Sequence, residues 1–517
     1  MRKLFLYVAV IATLFEVSCS STRTVSTKAK DDGKIDITFI QVNDVYEIAP
    51  LEGGKTGGMA RVATLKKEYL KANPNTFLIM AGDFLSPSVY NSLKYNSERI
   101  RGQQMVESMN AAGMDYAIFG NHEFDITESE LQKRINESSF QWISSNTFHK
   151  TKTGISPFEK ETATGKEPFP ETYILKVKDA DGTTAKIGFI GLTLPFNKAE
   201  YVSYTDPLSA AETMYNRIKD SCDAVVAITH QLIQDDSILA RKIPGLAMII
   251  GGHEHDMRFK KVGNVYITKA HSNARSAYII SLYINKKDHS INVKPQLKMI
   301  DESVAIDSAT NVVVKKWMDI ASENYASIGF DAKKIELQSG EPLDGREEEV
   351  RKTSTNLTRI IVDAMEQAAP DADLAIINSG SIRVDDVLQM PVTQYDIIRT
   401  LPFGGGIVEV DMHGKLLTKI LEAGRNNIGI GGFLQYSADV SYDSQTRKWN
   451  LKNAPIEPEK IYKVALSDFL MTGGEANMNF LTNDNPDVIK VYPVPTSISD
   501  SRSDIRLAII RYLEKVK

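Results

Sequence analysis

Residues 35–46, IDITFIQVNDVY, decide the fold. From Ile35 to Val42 the stretch is mostly apolar and rich in β-branched residues, the pattern of a buried strand. It then ends in Asn43-Asp44-Val45-Tyr46. A buried strand usually stops at a turn or a cap, so polar groups at its carboxyl tip need a purpose. The same pattern returns in TFLIMAGD (76–83), YAIFGNHE (116–123), KIGFIGLT (186–193), AVVAITH (224–230) and LAMIIGGHEH (246–255). Amphipathic stretches alternate with these runs; MARVATLKKEYLKA (59–72) puts Met59, Val62, Leu65 and Tyr69 on one helical face. Such alternation predicts a layered α/β domain, and in open α/β sheets ligands gather at the carboxyl ends of the strands.

The chain has 517 residues, more than one hydrophobic core normally serves, which predicts two domains with a spacer. Its composition, 42% hydrophobic and 25% charged, is that of a folded globular protein rather than a disordered one. Net charge is −5 with no long Lys/Arg block, which argues against polymeric nucleic acid as a partner; a small anionic ligand remains compatible with local arginines.

At the N-terminus Arg2 and Lys3 precede the apolar run LFLYVAVIATLF (4–15), too short to span a bilayer and matched to a secretory signal core. Cys19, after the small Ser18, resembles the lipobox cysteine of bacterial lipoproteins. The expectation is an exported protein, periplasmic or held at the outer membrane or cell surface by a lipid anchor. Only Cys222 accompanies Cys19, which rules out a disulfide framework. The expected boundaries are a signal at 1–19, a polar tether at 20–34, a first domain at 35–302, a helical linker at 303–339 and a second domain at 340–517. In the second domain TSTNLTRIIVDAMEQAA (353–369) offers Ser354 or Thr355 as a helix cap ahead of the stripe Leu357, Ile360, Ile361 and Met365. A strand-like run, DLAIINSGSIR (373–383), follows.

Collected in order, the strand-end residues are Asp44, Asp83, Asn121, His122, His230, His253 and His255. Four of the eight histidines fall among them, and carboxylates with imidazoles at one sheet edge suit hard or borderline divalent metals. With FGNHEFD (119–125) and GGHEH (251–255), this order resembles the calcineurin-like metallophosphoesterases. Almost everything after residue 34 resembles their 5'-nucleotidase branch, which includes ecto-5'-nucleotidases and periplasmic UDP-sugar hydrolases. The resemblance implies an α/β protein: a β-sandwich flanked by helices, joined by a helical spacer to an α/β substrate-binding domain.

It further implies two divalent ions, zinc, manganese or similar, roughly 3.5–4 Å apart. Asp44, Asp83 and His255 would hold the first, and Asp83, Asn121, His230 and His253 the second, with Asp83 bridging. Metal-bound hydroxide would attack the phosphorus of a nucleotide, a 5'-nucleoside monophosphate foremost. His122 and Asp125 match the catalytic dyad, whose histidine steadies charge on the phosphoryl or leaving group. His149, His271, His289 and His413 match no motif and read as structural or exposed. Tyr46 stands where the family supplies a first-site histidine. It could bind as a phenolate, stand aside for water, or leave the site empty; the favoured expectation is that it stands aside, because Asp44, Asp83 and His255 still make three ligands.

By the same resemblance Asn378 and Arg383 meet the ribose and phosphate side of the substrate, with Ser379 and Ser381 replacing two glycines of the usual loop, and Arg351 is another substrate-binding arginine. Phe403 and Phe469 would sandwich the base, and Glu475 would supply the ribose carboxylate. The rival readings are a related hydrolase of nucleotide sugars or cyclic nucleotides, and a non-catalytic nucleotide-binding lipoprotein with a decayed metal centre.

Overall fold

The strand Lys34–Val42 is central because both of its edges are taken. It pairs in parallel with Thr76–Met80 and antiparallel with Ser276–Asn285. This computed structural model describes residues 31–196 and 199–516, so the expected signal core, Cys19 and most of the tether lie outside the described residues. The first six-stranded sheet runs Ser290–Met299, Ser276–Asn285, Lys34–Val42, Thr76–Met80, Tyr116–Ala117 and Gln141–Trp142. A second runs Thr172–Lys178, Thr184–Thr193, Ala224–His230, Met248–Gly252, Val265–Lys269 and Arg258–Val262.

Strand alternation sets the layers. Ile35, Ile37 and Phe39 point between the sheets, where they pack with Phe189, Ile228 and Ile250. Ile40 and Val42 point the other way and are covered by Met59 and Val62 of the helix Met59–Ala72. The outer face of the second sheet, with Ile190 and Val225, lies beneath Met214 and Leu239 of the helices Pro207–Ile218 and Ile233–Lys242. Burial of each such side chain contributes about 1.5–3 kcal/mol. The result is a β-sandwich flanked by helices. Its parallel strands end level: Val42 lies opposite Met80, and His230 lies opposite both Thr193 and Gly252. Every polar strand tip noted above therefore emerges along one rim.

The helix Ser308–Ser327 starts at Asp307, whose carboxylate accepts the Thr310 N–H at 2.9 Å. It is not a free spacer. Val314, Trp317, Ala321 and Tyr325, at helical spacing, are buried in the core shared with Met59–Ala72 and Gln103–Ala112, and Trp317 Nε1 donates to Glu107 at 3.0 Å.

The second domain is a five-stranded sheet in the order Leu434–Tyr436, Leu374–Asn378, Ile461–Ser467, Ile407–His413, Val488–Tyr492. Helices Asn356–Ala368 and Ile505–Val516 cover one face through Ile361, Met365 and Ile509, and helix Gly414–Asn426 covers the other through Leu417 and Ile420. Thr355 caps the first of these helices in a reciprocal box with Thr358. The domains meet through Glu47 with Tyr395, Arg275 with Asp386, and His255 with Asp385. Among the described residues no helix is long and apolar enough to cross a membrane.

Candidate metal centre

The strand ends deliver their donors by leaving regular backbone. Asp44, Asp83 and His253 all have left-handed φ, 52°, 55° and 89°, a region that non-glycine residues enter at a cost and that clusters at functional sites. Asp44, Asp83 and His230 are buried, and one donor atom of each lies within 4.8 Å of the others. Glycine permits this crowding: a Cβ on Gly120 would sit 2.1 Å from Asp83 Oδ1, and one on Gly82 would sit 2.6 Å from His230 Nδ1.

His230 is fixed by a hydrogen bond from Nδ1–H to the Ala81 carbonyl at 2.8 Å, which leaves the Nε2 lone pair facing inward. Nε2 lies 3.0 Å from Asp83 Oδ2 and 3.8 Å from Asp44 Oδ1. Three buried acceptor atoms, His230 Nε2, Asp44 Oδ1 and Asn121 Oδ1, have no hydrogen-bond partner, the signature of a place that wants a cation. The charge pattern agrees. Burial alone would push His230 down, but the Asp83 and Asp44 carboxylates outweigh it and push the ring up to about 9. The potential that draws a proton onto Nε2 draws a metal ion equally. His253 is held neutral, down at about 3, by burial and then by the neighbouring His230, as a metal-binding imidazole must be. Its ring centroid is 5.3 Å from that of His230, and its backbone N–H donates to Asp44 Oδ2 at 3.0 Å.

Tyr46 does not stand aside. Its hydroxyl lies 3.3 Å from Asp83 Oδ2 and 3.1 Å from His255 Nε2, so the phenol occupies the gap between two expected first-site ligands. The left-handed turn at Asp44 swings the chain inward, and Asn273 Oδ1 holds it there by accepting the N–H groups of Tyr46 and Glu47 at 3.0 and 3.2 Å. Burial, then the charges of Asp83 and Asp44, raise the phenol well above its ordinary value. Asp83 and His255 are thus bridged by the phenol, whereas Asp44 Oδ1, Asn121 Oδ1 and His230 Nε2 have no hydrogen-bond partner.

His122 follows Asn121 on a short 3-10 turn, His122–Asp125. Its backbone N–H donates to Asp83 Oδ1 at 2.8 Å, and its Nδ1 pairs with Asp125 Oδ2 at 2.6 Å. Burial would push the His122 imidazole down; Asp83 and Asp125 outweigh that and hold it above its usual value.

Both domains line a cavity of about 530 Å³ that includes Asp83, His122, His253 and His255 on one side and Arg346, Arg351 and Lys352 on the other. Two matches are then decisive. Residues 37–257 match the calcineurin-like phosphoesterase family, and residues 333–482 match the 5'-nucleotidase C-terminal domain. The chain belongs to the 5'-nucleotidase family of calcineurin-like metallophosphoesterases. It is, accordingly, a phosphoric ester hydrolase of the metallophosphoesterase type.

This metallophosphoesterase is 23% identical over 504 residues to the 5'-nucleotidase of Bos taurus, covering 85% of this chain and 83% of the relative. It is 25% identical over 513 residues to the protein UshA of Escherichia coli, covering 86% and 87%. In fold it is similar to the 5'-nucleotidase precursor from Thermus thermophilus, with a TM-score of 0.66 at 20% identity over 93% of this chain and 97% of that one.

Within the family frame the remaining expected residues divide. Arg351 lines the metal-side cavity, paired with Glu347, and its Nε is buried without a hydrogen-bond partner. Arg383 lies near enough to His122 to oppose its protonation, but lines a separate small cavity with Tyr46, Arg399 and Pro402. Asn378 is turned toward Glu475, donating to Oε2 at 2.6 Å, while Ser381 Oγ donates to Asn378 Oδ1 at 2.7 Å. The serine that replaces a loop glycine thus adds a hydrogen bond to the asparagine. Phe403, in a turn, and Phe469, on the 3-10 helix Asp468–Met471, are 65% and 44% exposed on adjoining segments joined by hydrogen bonds between Gly406 and Asp468. Neither ring is used as core. Asn378, Phe403, Phe469 and Glu475 do not line the metal-side cavity in this arrangement.

Of the other histidines, His149 pairs with Glu128 and His413 contacts the Glu459 carbonyl, but His271 lies on the cavity wall, hydrogen-bonded to Ser276. Sequence reasoning missed two supports. Glu123, inside the quoted motif, is fully buried and accepts the backbone N–H groups of Asp83, Phe84, Leu85 and Gly120 at 2.9, 2.7, 3.0 and 2.5 Å. Burial, then the charge of Asp83, pushes its carboxyl up to about 7 against those hydrogen bonds. Lys269 is also fully buried. It lies 3.0 Å from Asp236, contacts Glu254, and donates to the carbonyls of Gln231 and Gly252, tying together the loops that present His230 and His253. The adjacency of Glu123 to His122 was the available signal; Lys269 offered none.

Proposed function

We propose that this chain is a divalent-metal-dependent phosphohydrolase that releases phosphate from nucleotides, 5'-nucleoside monophosphates foremost. The observation that carries the reading is the meeting of Asp44, Asp83 and His230, with Asp44 Oδ1, His230 Nε2 and the nearby Asn121 Oδ1 unpartnered, beside His122 and opposite Arg351 of the second domain. Asp83, Asn121, His230 and His253 form the stronger site. Asp44, Asp83 and His255 form a second, weakened by Tyr46. When bound, divalent ions supply positive charge to the phosphoryl group and acidify water at neutral pH. Arg351 and Arg383 neutralise the substrate phosphate, His122 faces the reacting group with its tautomer set by Asp125, and the exposed Phe403 and Phe469 stack on the base. The apolar run at residues 4–15 supports export, and Cys19 supports a lipid anchor. The test is phosphate release from a panel of nucleoside monophosphates, nucleotide sugars and cyclic nucleotides, before and after chelation and metal return. No release from any of them, with nucleotide still bound, would favour the second reading, a nucleotide-binding protein with a decayed centre, which the bridging position of Tyr46 motivates.

Two expected results separate the parts. Phe469→Ala raises KM for nucleotides about five- to hundredfold, the scale of one stacking contact, and leaves KM for a small aryl phosphate within about twofold. Equal damage to both substrates would exclude a base contact. Tyr46→His replaces the bridging phenol by a neutral imidazole, a better metal ligand, and lowers the metal concentration at half-maximal rate. If that concentration rises, or turnover vanishes, the phenol is itself a ligand.

A further inference from the structure

We propose that Asp385, supplied by the second domain, is the positioning residue for His255, so that this edge of the metal centre is complete only when the two domains meet as they do here. The inference deepens the metal-dependent reading above and rests on it.

His255 is held at both ring nitrogens. Nδ1 lies 2.6 Å from Asp385 Oδ2. A carboxylate only accepts, so Nδ1 carries the proton and donates it. Nε2 is thereby aimed at the centre, 3.1 Å from the Tyr46 hydroxyl and 3.6 Å from Asp44 Oδ1. A carboxylate behind an imidazole is the arrangement that fixes tautomer and ring angle in metal-binding histidines. His230 has the same kind of support, but from Ala81 of its own domain. Domain separation would leave His230 oriented and release His255.

Asp385 is built for this contact. It sits at a φ of 38°, an unfavourable conformation for a residue with a side chain, which turns the carboxylate across the interface. Its Oδ1 accepts the N–H of Glu347 at 2.5 Å, leaving Oδ2 for His255. Glu347 in turn pairs with Arg351, so one carboxylate links the imidazole to the segment carrying a candidate phosphate-binding arginine. The next residue provides a control. Asp386 crosses the same interface to Arg275 and also faces Arg399 at 3.5 Å, but it touches no candidate metal ligand.

The experiment is calorimetric titration of the full chain with manganese(II), with ¹⁵N spectroscopy of the histidine rings. Asp385→Ala is expected to weaken the weaker manganese binding event tenfold or more and to remove the protonated Nδ1 signature of His255. Asp385→Asn keeps one acceptor oxygen where the Glu347 N–H and the His255 Nδ1–H need two, so it loses affinity, but less than the alanine variant. Asp386→Ala leaves it within about twofold. If the alanine variant does not fold, Asp385→Ser, too short to reach Nδ1, takes its place with the same expected loss. The proposal is overturned if Asp385→Ala binds manganese as the parent does, or if Asp386→Ala loses as much, since docking alone would then explain the effect. Titration needs no nucleotide: this ranking in a chain that releases no phosphate supports the positioning role and refutes the nucleotidase reading alone.

Discussion

Asp83→Ala is expected to strip the protein of divalent metal and to bring phosphate release to background. The carboxylate serves every part of the centre at once: Oδ1 accepts the His122 N–H, while Oδ2 lies 3.0 Å from His230 Nε2 and 3.3 Å from the Tyr46 hydroxyl. Its removal leaves Asp44 as the one carboxylate among the remaining donors, and a single carboxylate is too little to hold two ions. Asp83 also occupies left-handed backbone, which alanine tolerates poorly and asparagine well, so Asp83→Asn isolates the charge from the conformation. For the asparagine variant, metal content after gel filtration falls at least about tenfold and phosphate release falls with it. Full metal content with full turnover in Asp83→Asn would remove the carboxylate from the centre.

His122→Ala is expected to lower kcat by at least about a hundredfold with metal content unchanged. Nδ1 is committed to Asp125 Oδ2 at 2.6 Å, and Asp125 is itself steadied by Ser86 Oγ at 3.2 Å, so the ring presents its other nitrogen to the cavity it lines. Asp83 receives only the backbone N–H of His122, which alanine retains. Metal analysis and single-turnover phosphate release check the two halves. A variant that loses its metal would show that His122 is a ligand and would reverse the assignment.

Much of the fold was legible because strand and helix periods differ. The run from Ile35 to Val42 and the face of Met59, Val62 and Leu65 declare their elements without reference to the rest of the chain. The strand-end donors were legible for a related reason: parallel strands that end level bring every carboxyl tip to one rim, so position in the strand stands for position in space. What escaped depends on contacts that no local pattern encodes. Asp385 meets His255 across 130 positions of sequence, and Lys269 looks like an ordinary strand-end lysine until the Asp236 and Glu254 carboxylates surround it. Tyr46 was legible as an anomaly but not in its outcome, because Asn273 fixes its direction from a distant loop. The helix Ser308–Ser327 reads as a spacer from its place between domains, and only packing shows that it belongs to the first.

The left-handed backbone at Asp44, Asp83 and His253 has a consequence for how much of this protein a cell can keep. Each such residue costs about 1–2 kcal/mol. Three together are a sizeable share of the roughly 5–15 kcal/mol that separates folded from unfolded chains. An ion that binds only the folded form offsets this by mass action, about 2.7 kcal/mol at a hundred times its dissociation constant. Divalent-cation supply would then set abundance as well as rate: in scarcity the unfolded fraction grows and proteases remove it, so that enzyme level becomes a slow readout of metal nutrition.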